Sequence, residues 1–137
     1  MLKIGFMGTR HGMTEVQQKE FEKFIKAKKF KEFHHGMCKG SDEIAHHLIE
    51  KDKKNVNIIG HPPTWSGSVV QLPCHKVMKE DTYHKRNKDI VDSTDCLVAT
   101  PDAKERAGSG TWKTIRYARK KGKRIYIICK NGRVTIE

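Results

Sequence analysis

The sequence predicts a doubly wound α/β domain, in which a mostly parallel sheet is covered by helices on both faces. Two observations carry this. Short apolar runs of strand length alternate along the chain with stretches of helical period, and glycine or proline punctuates the ends of most runs. The chain of 137 residues suits one domain, 1–137, with a core that needs neither disulfide nor metal.

The elements follow in order. Lys3-Ile4-Gly5-Phe6-Met7 reads as the first strand, broken by Gly8-Thr9-Arg10-His11-Gly12. Thr14 with Gln17 three residues later forms a capping-box pattern, opening a helix to about Lys29 whose apolar face is Phe21, Phe24 and Ile25. Phe33-His34-His35 is a weak second strand. Gly36 and Gly40 bracket a turn, and Ser41 or Asp42 caps a second helix carrying Ile44, Ala45, Leu48 and Ile49. Residues 56–60 form the third strand, stopped by His61-Pro62-Pro63. No period runs through Thr64 to Thr82, although Trp65, Val69, Val70, Leu72, Val77 and Met78 need cover. An aperiodic stretch this long is expected to fold over a site or against a second subunit. Tyr83 to Ser93 is the third helix and Cys96 to Ala99 the fourth strand. After a loop from Pro101 to Gly110, Thr111 to Lys121 is the fourth helix, ended by Gly122. Residues 125–129 are the fifth strand. Asn131-Gly132 marks a turn, and Val134-Thr135-Ile136 a short C-terminal edge strand.

Strand–helix alternation with right-handed crossovers gives a Rossmann-like sheet of five strands, for which the common order is 3-2-1-4-5. Ligands of such sheets bind beyond the carboxyl ends of the strands, where the order reverses. Here that point lies between the first and fourth strands. The loops following them, Gly8 to Met13 and Pro101 to Gly110, are also the richest strand-to-helix glycine loops in the chain.

Gly108-Ser109-Gly110-Thr111 runs into a helix start, where free N–H groups and the helix dipole attract an anion. Gly8-Thr9-Arg10 offers a second phosphate or ribose contact, with Arg10 able to clamp an anion. Neither a GxxxxGK[ST] loop nor a GxGxxG after the first strand is present. Trp112 is a candidate for stacking on a base, but packing is the expected role. His11 could serve as a base, but no nucleophile accompanies it in sequence. Of eight histidines, His34, His35, His46 and His47 lie near Cys38, yet there is no HExxH and no CxxC. Adjacent histidines point apart, so no metal is expected, and His46 is read as orienting a loop.

Lys plus Arg number 28 against 16 Asp plus Glu, a formal charge of +12, which favours anionic ligands: phosphorylated metabolites or nucleic acid. Aromatic residues are only 7% and are not interleaved with the basic ones, which argues against a nucleic-acid stacking platform. Four unpaired cysteines and the absence of a leader-like or membrane-length apolar run predict a cytoplasmic protein.

Several motifs together resemble a known group. These are Gly8-Thr9-Arg10, His35-Gly36-x-Cys38-x-Gly40-Ser41-Asp42-x-x-Ala45-His46, Gly60-His61-Pro62-Pro63, Arg86-Asn87-x-x-Ile90-Val91 and Gly108-Ser109-Gly110-Thr111-Trp112. They are similar to the SLOG superfamily, which includes lonely-guy phosphoribohydrolases, molybdenum-cofactor carrier proteins and DprA-like domains, and most similar to a small uncharacterised branch from bacteria and phages. The resemblance implies binding of a small phosphorylated, nucleotide-like ligand by Gly8, Thr9, Arg10, Gly40, Ser41, Asp42, Arg86, Asn87, Gly108, Ser109, Gly110 and Thr111. It further implies a homo-oligomer with no resident cofactor, acting as a sensor, carrier or sequestering protein; a phage origin would suit a sponge for a nucleotide defence signal. Arg86 matches the catalytic Arg of the phosphoribohydrolases, and Gly110-Thr111 match the Gly-Thr of their PGGxGTxxE motif. Lys113 and Thr114 stand where that motif approaches its acidic residue, so glycosidic cleavage is not carried over unless Asp89, Asp102 or Glu105 substitutes. A diverged nucleotide N-glycoside hydrolase and a nucleic-acid-binding protein are the alternative readings.

Overall fold

The computed structural model of the protein describes residues 2–65 and 67–137. Its elements are β1 (Leu2–Met7), α1 (Glu15–Ala27), β2 (Phe30–His35), α2 (Ser41–Asp52), β3 (Asn57–Gly60), β4 (Lys76–Val77), α3 (Tyr83–Asp92), β5 (Cys96–Ala99), α4 (Gly110–Lys120), β6 (Arg124–Ile128) and β7 (Val134–Ile136). The sheet order is β4-β3-β2-β1-β5-β6-β7. All neighbours are parallel except β6 and β7, which form an antiparallel edge pair.

The five main strands thus take the expected order, with the reversal at β1, which pairs with β2 on one side and β5 on the other. The sheet has seven strands rather than five. One addition is the expected C-terminal edge strand. The other, β4, is only two residues long and pairs through Ile59–Lys76 and Gly60–Val77. Two exposed residues carry no alternation, which is why the sequence gives no sign of it.

Period-two alternation sorts the apolar residues into two cores. Ile4, Phe6, Phe33, Ile58, Cys96 and Val98 face α1 and α2, where Phe21, Ile25, Ala45 and Ile49 meet them. Leu97, Ala99, Ile125 and Ile127 face α3 and α4, meeting Ile90, Val91, Ile115 and Ala118. Gly5 allows α3 to approach the sheet: a Cβ there would lie 2.8 Å from Thr94 Oγ1 and 3.0 Å from Ile90 Cγ2.

The helix ends follow local chemistry. The α1 capping box is formed, with Gln17 N–H donating to Thr14 Oγ1 at 3.2 Å and Thr14 N–H to Gln17 Oε1 at 2.9 Å. Gln17 is buried, and its Nε2 also donates to Pro101 O and Ile128 O, both at 2.9 Å. One side chain therefore caps a helix and ties together the exits of β5 and β6. The helix α4 closes in a Schellman motif: Lys123 N–H donates to Ala118 O, Gly122 N–H to Arg119 O, and Gly122 sits at φ 70°.

Two expected caps are corrected. Neither Ser41 nor Asp42 caps α2. Gly40 holds that position at φ 88° with no side-chain cap, because both hydroxyl and carboxylate are engaged elsewhere. The helix α4 begins at Gly110 rather than Thr111, with Ser109 as its cap accepting from Trp112 N–H at 3.3 Å.

Phe21 tests the α1/α2 core. It is fully buried, with ring centroids 5.4 Å from Phe6 and 6.0 Å from Phe33. Phe21→Ala is expected to lower the unfolding free energy by about 3–5 kcal/mol in urea titrations. A loss below about 1 kcal/mol would show that this core is not packed as described.

Candidate functional site

A cavity of about 400 Å³ opens where β1 and β5 end. Its floor is the turn after β1. Thr9 N–H donates to Ser41 Oγ at 3.1 Å and Ser41 N–H donates back to Thr9 O at 2.9 Å, so the start of α2 grips this turn. The approach is close enough to require glycine: a Cβ on Gly8 would fall 2.2 Å from Ser41 Cβ, and one on Gly40 2.4 Å from Arg10 O. Thr111 Oγ1 donates to Gly8 O at 2.8 Å and joins the β5–α4 loop to the same point.

That loop leads into an open helix start. An α-helix leaves its first N–H groups without intrahelical partners. At α4, Trp112 N–H reaches Ser109 Oγ and Lys113 N–H reaches Ser109 O. The N–H groups of Gly110 and Thr111 have no such acceptor among the described residues. A Cβ on Gly108 or on Gly110 would meet nothing within 4 Å, so these glycines face open space rather than packing.

The wall is cationic. Arg10, Lys39, Arg86 and Arg106 line the cavity against two carboxylates, Asp42 and Asp102. Arg86, however, is nearly buried and already engaged. Its Nη1 donates to Gly36 O at 2.5 Å and to His61 O at 3.1 Å, and its guanidinium lies 5.0 Å from the Tyr83 ring centre. It clamps the exits of β2 and β3. Nη2, whose described contact is Cys38 Sγ at 3.8 Å, remains for a ligand. Asp42 accepts from Cys38 N–H at 3.2 Å. Burial pushes its carboxyl up to about 6, against the opposing pull of the Arg86 guanidinium and of the backbone N–H groups of Cys38 and Gly36.

Most of the residues singled out in the sequence come together here. Gly8, Thr9, Arg10, Asp42, Arg86, Asn87, Gly108, Ser109, Gly110 and Thr111 all line the cavity. Gly40 and Ser41 stand behind the wall and act through the turn they hold. Trp112 is not available for stacking. It is 7% exposed and packed in the α3/α4 core, and its Nε1 donates to Ala103 O at 3.1 Å. A residue three positions into α4 points at the sheet, not at the mouth.

The aromatic faces at the mouth are Trp65 and Tyr83, with ring centroids 6.2 Å apart. Sequence reasoning did not assign them to the site, and neither sits in a motif. The segment following β3 brings Trp65 there. Lys39 N–H donates to Ser68 O and Val70 N–H to Met37 O, both at 2.9 Å, and Ser68 Oγ meets Tyr83 OH at 2.6 Å. Within residues 64–82, the first stretch closes one side of the cavity and the later part forms the β4 edge. Lys39 and Cys38, also unassigned, sit on the Gly36–Gly40 turn; the strand order, which places β2 beside β1, was the available signal.

Beneath the site, buried imidazoles set the exit of β2. Met37 N–H donates to His35 Nδ1 at 3.0 Å, so the ring proton is on Nε2, which donates to His46 Nδ1 at 2.9 Å. Burial pushes His35 down to about 3 and lowers His46. Ligand atoms of His35, His46 and Cys74 lie within 4.8 Å of one another. While Met37 holds Nδ1, the His35 Nε2 facing that group is a donor with no lone pair for a metal. On the other face of the sheet, His34 bridges Glu32 Oε1 and His61 Nε2, each at 2.8 Å, and burial pushes His61 down to about 4.

No family model matches this chain, and no curated relative does. Solved structures do. The molybdenum cofactor binding protein from the phototrophic bacterium Rippkaea orientalis superposes with a TM-score of 0.71 at 21% identity, over 93% of this chain and 76% of that one. The X-ray structure of the structural-genomics target TM1055 gives a TM-score of 0.65 at 16% identity, over 91% of this chain and 72% of the other. At these identities the likeness establishes a shared Rossmann-like α/β fold. Among the described residues, no helix is long and apolar enough to cross a membrane.

Asp42 gives a pH signature. Its carboxyl titrates near 3.8 when unfolded and about 6 when folded, so the folded state holds its proton longer. Stability is therefore lost as pH rises across that window. Asp42→Asn keeps an acceptor and removes the charge. The variant's gain in unfolding free energy over the parent should grow from near zero below pH 3.8 to a plateau above about pH 6. The buried histidines, which lose stability as pH falls from 6.5, cancel in this difference. A difference independent of pH would mean that Asp42 is solvated.

Proposed function

We propose that this cavity binds a small phosphorylated, nucleotide-like molecule, in the role of a sensor, carrier or sequestering protein. The observation that carries the reading is the start of α4. Two N–H groups with no acceptor among the described residues belong to residues lining a cavity with four cationic side chains, beside glycines that leave the backbone open. A phosphate there would take the N–H groups of Gly110 and Thr111, with Arg10 and Arg106 closing on its other oxygens. A flat ring would then extend toward Trp65 and Tyr83. The fold neighbour named for binding the molybdenum cofactor supports a small-ligand role. The motifs shared with the SLOG superfamily favour a nucleotide-type ligand.

Mass spectrometry of material released from the purified protein, followed by a thermal-shift panel of nucleotides, identifies the ligand. Gly110→Asp places a carboxylate in the open space before the anion site. It should abolish nucleotide binding while leaving the circular dichroism spectrum intact. Undiminished affinity in a folded variant would remove the phosphate from α4. Trp65→Ala should weaken binding by about 1–3 kcal/mol if the ring stacks. Saturable binding that persists at physiological salt is expected, in contrast to the steep salt loss of nonspecific nucleic-acid binding.

Ligand should also slow hydrogen exchange in the Gly8 and Gly110 loops and in the residues from 64 to 82 that reach the cavity. Protection confined to the two glycine loops would exclude closure by that segment.

A further inference from the structure

The loop after β1 and the loop after β5 contribute one more pair to the cavity wall. His11 Nδ1 lies 2.8 Å from Asp102 Oδ2, although 91 residues separate them. The backbone beneath is fixed, with His11 N–H donating to Thr9 Oγ1 at 3.2 Å. Arg106 Nη2 stands 3.7 Å from the other Asp102 oxygen. An ionised carboxylate only accepts hydrogen bonds, so the neutral His11 ring carries its proton on Nδ1 and presents a lone pair on Nε2. The bond to His11 also holds the Asp102 carboxyl below the usual carboxylate range, so it stays ionised as the partner. The ring is open to solvent, and water reaches Nε2 freely.

We propose that His11 and Asp102 form a dyad that hydrolyses a phosphodiester or phosphoanhydride bond of the ligand held in this cavity, a step that rests on the binding reading above. His11 is the catalytic base and Asp102 its positioning residue. Water attacks phosphorus and a new P–O bond forms. The water proton passes to His11 Nε2, and the P–O bond to the leaving group breaks. The leaving oxygen then takes the proton from Nε2, so the dyad returns to its starting state with no redox change. Charge developing on the phosphoryl oxygens meets Arg10, Arg106 and the N–H groups of Gly110 and Thr111.

Phosphorus, rather than a glycosidic carbon, is the reacting centre because of where the dyad stands. His11 and Asp102 belong to the same two loops that form the anion cradle, so the phosphate is the part of the ligand nearest them. Asp102, the cavity carboxylate that could replace the acidic residue missing at Lys113 and Thr114, is instead engaged by His11 at 2.8 Å and Arg106 at 3.7 Å.

Two probes test this with the full-length chain: ADP-ribose, an anhydride, and thymidine 5′-(4-nitrophenyl phosphate), a chromogenic diester. Binding is read by calorimetry and turnover by product chromatography or 4-nitrophenolate absorbance. Turnover of at least one probe is expected. His11→Ala should lower kcat by about 10²–10⁴-fold with KM little changed, the range for a general base. Added imidazole should restore part of that rate, which a merely structural histidine would not allow. Asp102→Asn should also lower kcat at nearly constant KM. Binding of either probe without turnover overturns the dyad's chemistry and leaves the anion site standing. Turnover unaffected by His11→Ala equally overturns it. Binding of neither probe overturns both this step and the nucleotide reading beneath it.

Discussion

Everything at the carboxyl edge of the sheet depends on how closely three chain segments meet at Gly8 and Thr9. The turn after β1, the start of α2 and the start of α4 are joined there by Thr9–Ser41 bonds in both directions and by the Thr111 hydroxyl on Gly8 O. Cβ atoms on Gly8 or Gly40 would drive these segments apart. The cavity is therefore a by-product of backbone contact rather than of large side chains. Two parts of its wall, the β1 turn and the α4 start, cannot shift independently. That rigidity is what a preorganised phosphate cradle requires.

Around this point the buried charges are held by fixed partners, while Arg10 and Lys39 line the open cavity wall. Arg86 is held by the carbonyls of Gly36 and His61, and its charge in turn restrains the buried Asp42 carboxyl. The buried histidines stay neutral and act as hydrogen-bond relays that fix the β2 exit, where Met37 takes φ 54°. The chain is satisfied only in part, since His46 Nε2 and Arg86 Nε are buried without a hydrogen-bond partner among the described residues.

Much of this was legible in the sequence, for physical reasons that can be named. Short, nearly continuous apolar runs in β1, β5 and β6 mark strands buried on both faces, and Thr14 with Gln17 marks a helix start that forms as written. The glycine loops marked the site because glycine is costly elsewhere. What stayed hidden was tertiary. Ser41 looks like a cap until Thr9 claims its hydroxyl. Trp112 offered a stacking face, but the helix phase turns it into the core, where packing was the expected role. The two-residue β4 has no local signature because only pairing with β3 gives it a place, and Trp65 was placed only through the segment expected to fold over a site, which the turn after β2 anchors at Ser68 and Val70. Arg86 was identified by resemblance, and its attachment to backbone carbonyls could only be seen in three dimensions.

The central position of β1 has a consequence for how the chain comes together. One edge of β1 pairs with β2, which follows it closely, but the other waits for β5; 92 residues separate Lys3 from Asp95, whose carboxylate accepts the Lys3 N–H at 2.7 Å. On a ribosome adding about 5–20 residues per second, that edge stands unpaired for on the order of 5–20 s. During this interval the nascent chain offers an apolar strand with open hydrogen bonds, a template for any other strand nearby. Gly5, which lets α3 settle on β1, also weakens the strand's own propensity while it waits, and so lowers its tendency to pair with the wrong neighbour.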